Sequence, residues 1–367
     1  MVKRKNTFIN IETSIMNNRL KCLLLNLFLL LSLSGKAQEK ISIGEKKNLS
    51  SAILNENREI WIHLPKTYND SSIHPAKYPV IYLLDGEINF ESYAGMSDFL
   101  AKPPYADMPE CIVVGIKNTE RTRDLTPTKS HKKSPVNPDV VLFGDSGGSE
   151  NFVRFIQEEL KPFINKNYRT LDYSILVGHS FGGLFAVNVL LTHPEYFNAY
   201  VANDPSLWWD NKILITKTKE YLDKNKKFPD HKFLYVSQAD NEEQNKNWNS
   251  DMTQAIEEFR GIVEKNGSLN YKHHFFENEV HGTVSYPGNY DALKYIFKGF
   301  RTDIKKLSKN PQLLEEEYKK FSQKAGAEFI PSESYLNVIL KFMKTNGFKE
   351  SETYFDGLKN KLYPQKN

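Results

Sequence analysis

An α/β fold, a mostly parallel sheet covered by helices on both faces, is what the sequence predicts, and three observations carry that expectation. Short apolar, β-rich runs recur at 59–64, 79–84, 111–116, 174–177, 199–202, 232–237 and 271–276. They are near-continuous rather than alternating, the pattern of strands buried on both faces. Helical patterns at 151–165, 181–192, 248–265 and 290–300 separate the later runs. Finally, the run 174–177 drives straight into Gly178-His179-Ser180-Phe181-Gly182 and then into an apolar helix. That is the strand-turn-helix context a nucleophile elbow requires.

Taken in order, the chain begins with a leader. Arg19 and Lys21 precede an apolar run from Cys22 to Leu33 that closes on small residues around Gly35 and Ala37. This reads as a secretory signal peptide over 1–37, with Met16 as an alternative start. The apolar run is shorter than the ~20 residues of a spanning helix, so no stable membrane insertion is expected after cleavage. Export to the periplasm or the extracellular space follows from that reading. Cys22 lies at the start of the apolar run, so lipidation is not expected, and Cys111, inside an apolar run, is expected to be a buried core thiol.

The runs ahead of Pro79 have no helix between them and are expected to form an antiparallel edge. Residues 117–148 are rich in Thr, Pro, Asp, Gly and Ser, and a loop this long in a compact domain is commonly functional. It is a candidate wall of the active site. From Lys305 the pattern turns charged and helical, at 313–322, 334–344 and 350–362. The chain is therefore divided into a leader (1–37), a main α/β domain (38–300) and a helical appendage (301–367). A formal charge of +4 over 367 residues, with no basic tract, gives nucleic-acid binding no electrostatic support.

The elbow makes Ser180 the candidate nucleophile. A serine hydroxyl needs a histidine to take its proton and usually a carboxylate to orient that histidine. The other histidines fall on the edge region, in strands, at helix ends or inside the elbow, where the His179 side chain is expected to point away from Oγ, except His131, which lies in the long loop and stays a weaker alternative. His281 instead follows the strand 271–276 in a loop before the last helix of the domain, where this architecture delivers a base. The acid remains open: Asp240, at the end of the strand 232–237, is the first choice, followed by Glu242, then Asp204, then a Ser/His pair with no acid. For the oxyanion, the N–H of Phe181 and an amide of Gly86 or Glu87, in the loop after 79–84, are the expected donors. His273 and His274 are neighbours on one strand and point to opposite faces. No H-E-x-x-H, cysteine pair, phosphate loop or dinucleotide fingerprint is present, so neither a metal nor a cofactor is expected.

Further motifs extend the pattern: Tyr82-Leu83-Leu84-Asp85-Gly86, Arg121 to Pro127, Gly147 to Phe152, Glu158 to Pro162, Asp204-Pro205-Ser206-Leu207-Trp208-Trp209 and His281-Gly282-Thr283. With the elbow, these resemble the esterase family of α/β-hydrolases, whose members resemble esterase D and the enterochelin esterases. The resemblance runs over 39–300. It implies the α/β-hydrolase fold and hydrolysis of a carboxylic ester through an acyl-enzyme, with Ser180 and His281 carried over. It also suggests that Arg121, Arg123, Trp208 and Trp209 line the substrate pocket. The substrates it allows are a siderophore lactone, an acylated glycan or a simple acyl ester. Acyl transfer on the same fold, or a non-catalytic binding protein that kept it, are the competing readings.

Overall fold

The strand-length runs assemble into one sheet in the computed structural model, which describes Lys21, residues 41–240 and residues 248–364. Met1–Ser42 and Ile43–Asn367 are separate compact units, and the fold is that of the second. The predicted leader at 1–37 lies outside the described residues apart from Lys21, and so does Glu242. Among the described residues no helix is long and apolar enough to cross a membrane.

The strands are β1 (Glu45–Ser51), β2 (Glu56–His63), β3 (Tyr78–Leu83), β4 (Ile112–Ile116), β5 (Thr170–His179), β6 (Ala199–Asn203), β7 (Phe233–Ala239) and β8 (Asn270–Phe276). Their order in the sheet is β1-β2-β4-β3-β5-β6-β7-β8. β1 pairs β2, and β2 pairs β4, antiparallel; every later pairing is parallel. The antiparallel edge therefore lies where the absence of intervening helices places it. β1 itself has no apolar signature, because an outer strand half open to water needs little beyond its ladder to β2.

β3 and β4 are buried along their whole length, as continuous apolar runs require. Side chains of β3, β4 and β5 alternate between two cores: Val80, Tyr82, Val114 and Leu176 on one face, Ile81, Leu83, Val113 and Ile175 on the other. Cys111, at the entry to β4, is buried as expected, and burial pushes its thiol pKa up.

The helices of the main domain are α1 (Gly86–Leu100), α2 (Arg121–Leu125), α3 (Ser149–Arg154), α4 (Lys161–Asn167), α5 (Phe181–Thr192), α6 (Trp209–Asn225), α7 (Trp248–Asn266) and α8 (Ser285–Ile296). A π turn, Phe155–Leu160, joins α3 to α4 just before Pro162, which has no N–H to give to a regular helical ladder. The sequence patterns missed α1, α6 and the short α2, which lies inside the stretch read as a long loop. α6 carries a thin apolar stripe, burying Trp209, Leu214 and Ile215 among many lysines. α1 mixes glycine, serine and aromatic residues with little periodicity.

Beyond the main domain follow α9 (Ile304–Leu307), α10 (Leu313–Ala325), α11 (Glu333–Thr345) and α12 (Lys349–Leu362). Leu314, Phe321, Leu336, Ile339 and Phe355 join the same core as Phe297 and Phe300. Glu333 accepts hydrogen bonds from the His74 backbone N–H and ring Nδ1, both at 2.7 Å, fastening α11 to the loop before β3. A cavity of about 480 Å³ lies here, lined by Pro75, Tyr78, Glu110, Phe300, Tyr335 and Tyr363. It opens where β3 begins, whereas Ser180 sits where β5 ends.

A buried ion network braces the antiparallel side. The Arg58 guanidinium, 1% exposed, donates at 2.7 Å to Asp124 Oδ2 and to Glu56 Oε1. Asp124 also accepts from Arg123 Nε at 2.7 Å. Removing one partner of a buried pair strands the other charge, which costs about 3–5 kcal/mol. Asp124→Ala is therefore expected to lower unfolding free energy by that amount in a urea titration. A loss below about 1 kcal/mol would show that Glu56 alone satisfies Arg58.

Candidate active site

The elbow is built by mutual exclusion between glycines. A Cβ on Gly178 would lie 2.3 Å from the carbonyl carbon and oxygen of Gly182, so strand and helix close on each other only without one. Gly183 is similarly tight, with Pro205 Cα 3.0 Å from its notional Cβ. Between them Ser180 takes φ 59°, ψ −115°, a conformation that serine rarely adopts. Backbone bonds hold it there: Ser180 N–H to Asn203 O at 3.0 Å, Leu184 N–H to Ser180 O at 2.9 Å and Ser206 N–H to Ser180 O at 3.1 Å.

His281, from the loop between β8 and α8, brings Nε2 to 3.0 Å from Ser180 Oγ. Its Nδ1 lies 2.6 Å from Asp204 Oδ2. An ionised carboxylate only accepts, so Nδ1 carries the proton and Nε2 presents its lone pair to the Ser180 hydroxyl. Asp204 is fully buried, and its other oxygen accepts the Ala239 N–H at 3.1 Å. The expectation that Asp240 would be the acid is corrected by this geometry. The carboxylate on the histidine follows β6, one strand earlier than the first-choice Asp240 and still in the chain order Ser-Asp-His, and the end of β7 contributes the Ala239 N–H. The Asp240 N–H bonds the carbonyls of Phe276 and Glu279 and so helps shape the histidine loop.

Sequence reasoning missed Ser206. Its Oγ, on a residue 1% exposed, lies 3.2 Å from Ser180 Oγ. The signal was available in Asp204-Pro205-Ser206, a turn after a strand neighbouring the elbow strand, but serine there has many mundane uses.

The amino termini of α1 and α5 meet beside the nucleophile. Asp85, at φ 52°, turns the chain out of β3, and its Oδ2 lies 3.4 Å from the notional Cβ of Gly182. Gly86 packs against the β4 backbone, where a Cβ would come within 2.7 Å of Gly115 C. The first N–H groups of a helix have no partner inside it, which leaves Phe181, Gly86 and Glu87 as donors in this corner. The Glu87 carboxylate points elsewhere, accepting from the Asn118 side chain at 2.8 Å.

Of the four residues expected to line the pocket, two are committed to other partners. Arg121 donates to both oxygens of Asp85, at 2.6 and 3.0 Å, and to His179 O at 3.2 Å, tying the α1 loop to the elbow. Arg123 is held by Asp124 and Glu56, in the buried ion network, not with the triad-like group. Trp208 and Trp209 instead pack beside the elbow. With Phe143 and Phe181 they make an aromatic cluster, ring centroids 5.3–6.5 Å apart. Trp209 Nε1–H donates to Thr128 Oγ1 at 3.0 Å, and Lys132 Nζ lies 5.7 Å over the Trp208 ring. Thr128, Lys132 and Phe143 all belong to the long loop 117–148, which thus flanks the nucleophile.

His179 points away from Ser180 Oγ but is not idle. Its Nε2–H donates to the His281 carbonyl at 2.6 Å, and the two rings lie 4.5 Å apart. Burial, followed by the neighbouring His281, pushes its pKa down to about 4. The ring is therefore a neutral strut under the histidine loop. Among the described residues no group of three or more His, Cys, Asp or Glu side chains is arranged to hold a metal ion.

A mixed, mostly parallel sheet with serine, histidine and aspartate brought together at its carboxyl edge defines the α/β-hydrolase class. The family model described as "Putative esterase" matches residues 51–287, and the chain belongs to that family. It is thus a hydrolase acting on esters. The ferri-bacillibactin esterase BesA of Bacillus subtilis is 31% identical over 222 residues, 58% of this chain and 76% of that relative. The siderophore enterobactin esterase of Emericella nidulans is 30% identical over 176 residues, 45% of this chain and 58% of its own. Among solved structures, an IroE-like serine hydrolase from Shewanella oneidensis has a TM-score of 0.77 at 32% identity, covering 87% of this chain and 99% of its own.

The depressed His179 pKa has a definite consequence for stability. An unfolded imidazole titrates near 6.5, so between about 6.5 and 4 the unfolded state binds more protons than the native one. Stability then falls as pH drops through that window, by about 3 kcal/mol at its acid end. His179→Gln keeps an amide donor and cannot charge. Its urea midpoint is expected to fall less than that of the native protein between pH 6.5 and 4; parallel curves would contradict a buried neutral His179.

Proposed function

We propose that this protein is an exported serine esterase that cleaves siderophore esters through an acyl-enzyme on Ser180. One observation carries the reading: Ser180 Oγ, His281 Nε2, His281 Nδ1 and Asp204 Oδ2 follow one another at 3.0 and 2.6 Å across three separate loops. Ser180 Oγ attacks the ester carbonyl while its proton passes to Nε2, and Asp204 stabilises the imidazolium and holds its orientation. The carbonyl oxygen, gaining charge, meets the N–H of Phe181 and an amide of Gly86 or Glu87. Collapse expels the alcohol with the proton from Nε2, and water then repeats the sequence to release the acid.

The substrate class is supported by the relatives named for siderophore hydrolysis and by the chemistry of the site's surroundings. The aromatic wall of Phe143, Trp208 and Trp209 suits flat aryl groups. Lys129, Lys132 and Lys133, exposed on the adjoining loop, suit the negative charge of an iron-loaded siderophore. No cofactor enters the scheme.

The mature chain from Gln38 is expected to hydrolyse both short-chain p-nitrophenyl esters and enterobactin, a cyclic triester, with products resolved by chromatography. Ser180→Ala should lower both rates by at least about 10³-fold. Turnover of the chromogenic esters alone would retain the esterase and remove the siderophore assignment; a Ser180→Ala protein as active as the native one would remove the nucleophile. The acid is tested separately. Asp204→Asn is expected to lower kcat by about 10³–10⁴-fold, since it leaves His281 in the wrong tautomer. Asp240→Asn should stay within about threefold of the native kcat, a size set against that triad effect; the reverse ranking would restore Asp240.

A further inference from the structure

We infer that Ser206 supplies a second hydroxyl to the catalytic centre, donating a hydrogen bond to Ser180 Oγ and stabilising the partial negative charge that this oxygen develops in the transition state. The inference rests on Ser180 being the nucleophile. The direction of the bond follows from the proton inventory. Asp204 takes the Nδ1 proton of His281, so Nε2 is an acceptor, and the Ser180 hydroxyl spends its single proton on it. At the 3.2 Å contact between the two serines, the proton must therefore come from Ser206.

The donor is pre-positioned at little cost. Ser206 N–H is bonded to Ser180 O at 3.1 Å, and the residue is buried, so its hydroxyl stays beside the nucleophile without ordering a mobile side chain. In the resting state the bond joins two neutral groups and is long for O–H···O. As Ser180 attacks, the Oγ–carbon bond forms, the carbonyl π pair moves to oxygen, and the Ser180 proton goes to Nε2. The Ser206 proton stays on Ser206 throughout. In the transition state, where the Ser180 proton has largely left and the Oγ–carbon bond is still partial, it faces an oxygen with developing negative charge, and a hydrogen bond to a charged acceptor is roughly twice as strong. The same gain recurs in deacylation, when Oγ is the leaving atom. The interaction is thus stronger in the transition state than before it, the condition for raising rate. It acts on the nucleophile oxygen, whereas Phe181 and the α1 loop act on the substrate oxygen.

The test reads the nucleophile directly, as the rate of covalent labelling by an alkyl fluorophosphonate, alongside kcat and KM for a p-nitrophenyl ester. Ser206→Ala is expected to slow labelling and lower kcat by about tenfold, with KM within about twofold. Ser206→Thr, which restores a hydroxyl, should recover most of the loss; Ser206→Cys, with a weak S–H donor, should not. A packing role alone would instead move KM or the melting midpoint and give equal rates for the Thr and Cys variants, which overturns the inference even where Ser206→Ala does not fold. Undiminished labelling of Ser206→Ala, with native protein labelled at Ser180, overturns it too. Native protein that takes no label, while a control serine hydrolase does, removes the Ser180 reading itself.

Discussion

The site depends on the contact between Gly178 and Gly182. Because no Cβ separates them, β5 can end and α5 begin within a single residue, and that residue is forced to positive φ. A non-glycine held there costs of order 1–3 kcal/mol and persists only where surrounding bonds over-determine it. The three backbone hydrogen bonds around Ser180 do so, and two of them reach into the β6 end, at Asn203 and Ser206. The strained serine and the loop bearing its acid are therefore one packed unit rather than two neighbours.

The same device recurs along the carboxyl edge of the sheet. Asp85 after β3, Ser180 after β5 and Asp204 after β6 all have positive φ, at 52°, 59° and 40°. Each turns its chain abruptly as it leaves its strand. Aspartate tolerates this region better than most side chains, because its short carboxylate can bond locally. Asp85 uses that carboxylate to hold Arg121, and Asp204 uses its own to hold His281 and the Ala239 N–H. A positive-φ aspartate at a strand end here is at once a turn residue and a functional one, so its chemistry is not separable from its backbone role.

How much of this was legible follows from which signals are local. Glycine spacing around Ser180 is a local steric demand, and strand, elbow and helix were readable together. His281 was readable by its place after the last strand. The parallel core was visible as apolar runs, and the antiparallel edge as missing helices. What escaped is non-local. Asp204 and Asp240 both end strands beside the elbow strand's far side, and nothing within either loop says which carboxylate reaches the histidine. The answer lies in the β6–β7 register, which pairs Asn203 with Ser237 and leaves Ala239 N–H, not the Asp240 side chain, against the acid. Arg121 and Arg123 were equally ambiguous, since an arginine's role depends on carboxylates far away in sequence, Asp85 and Glu56.

Placing the acid after β6 has a mechanical consequence. The end of β7 contributes the Ala239 N–H, while the segment after β6 holds Asp204, Ser206 and both tryptophans within six consecutive residues, Asp204 to Trp209. Asp204 touches His281, Ser206 touches Ser180, and Trp208 and Trp209 touch Phe181. Asp204, Ser206 and the two tryptophans are thus linked within one short segment that is bonded to the Ser180 backbone. The His281 loop is joined to the elbow at two points, by Nε2 on Ser180 Oγ and by the neutral ring of His179 on the His281 carbonyl. Electrostatic catalysis needs dipoles that do not reorganise when charge appears. Here the short covalent connections within Asp204 to Trp209, and the bonds of this segment to Ser180 and His281, limit that reorganisation.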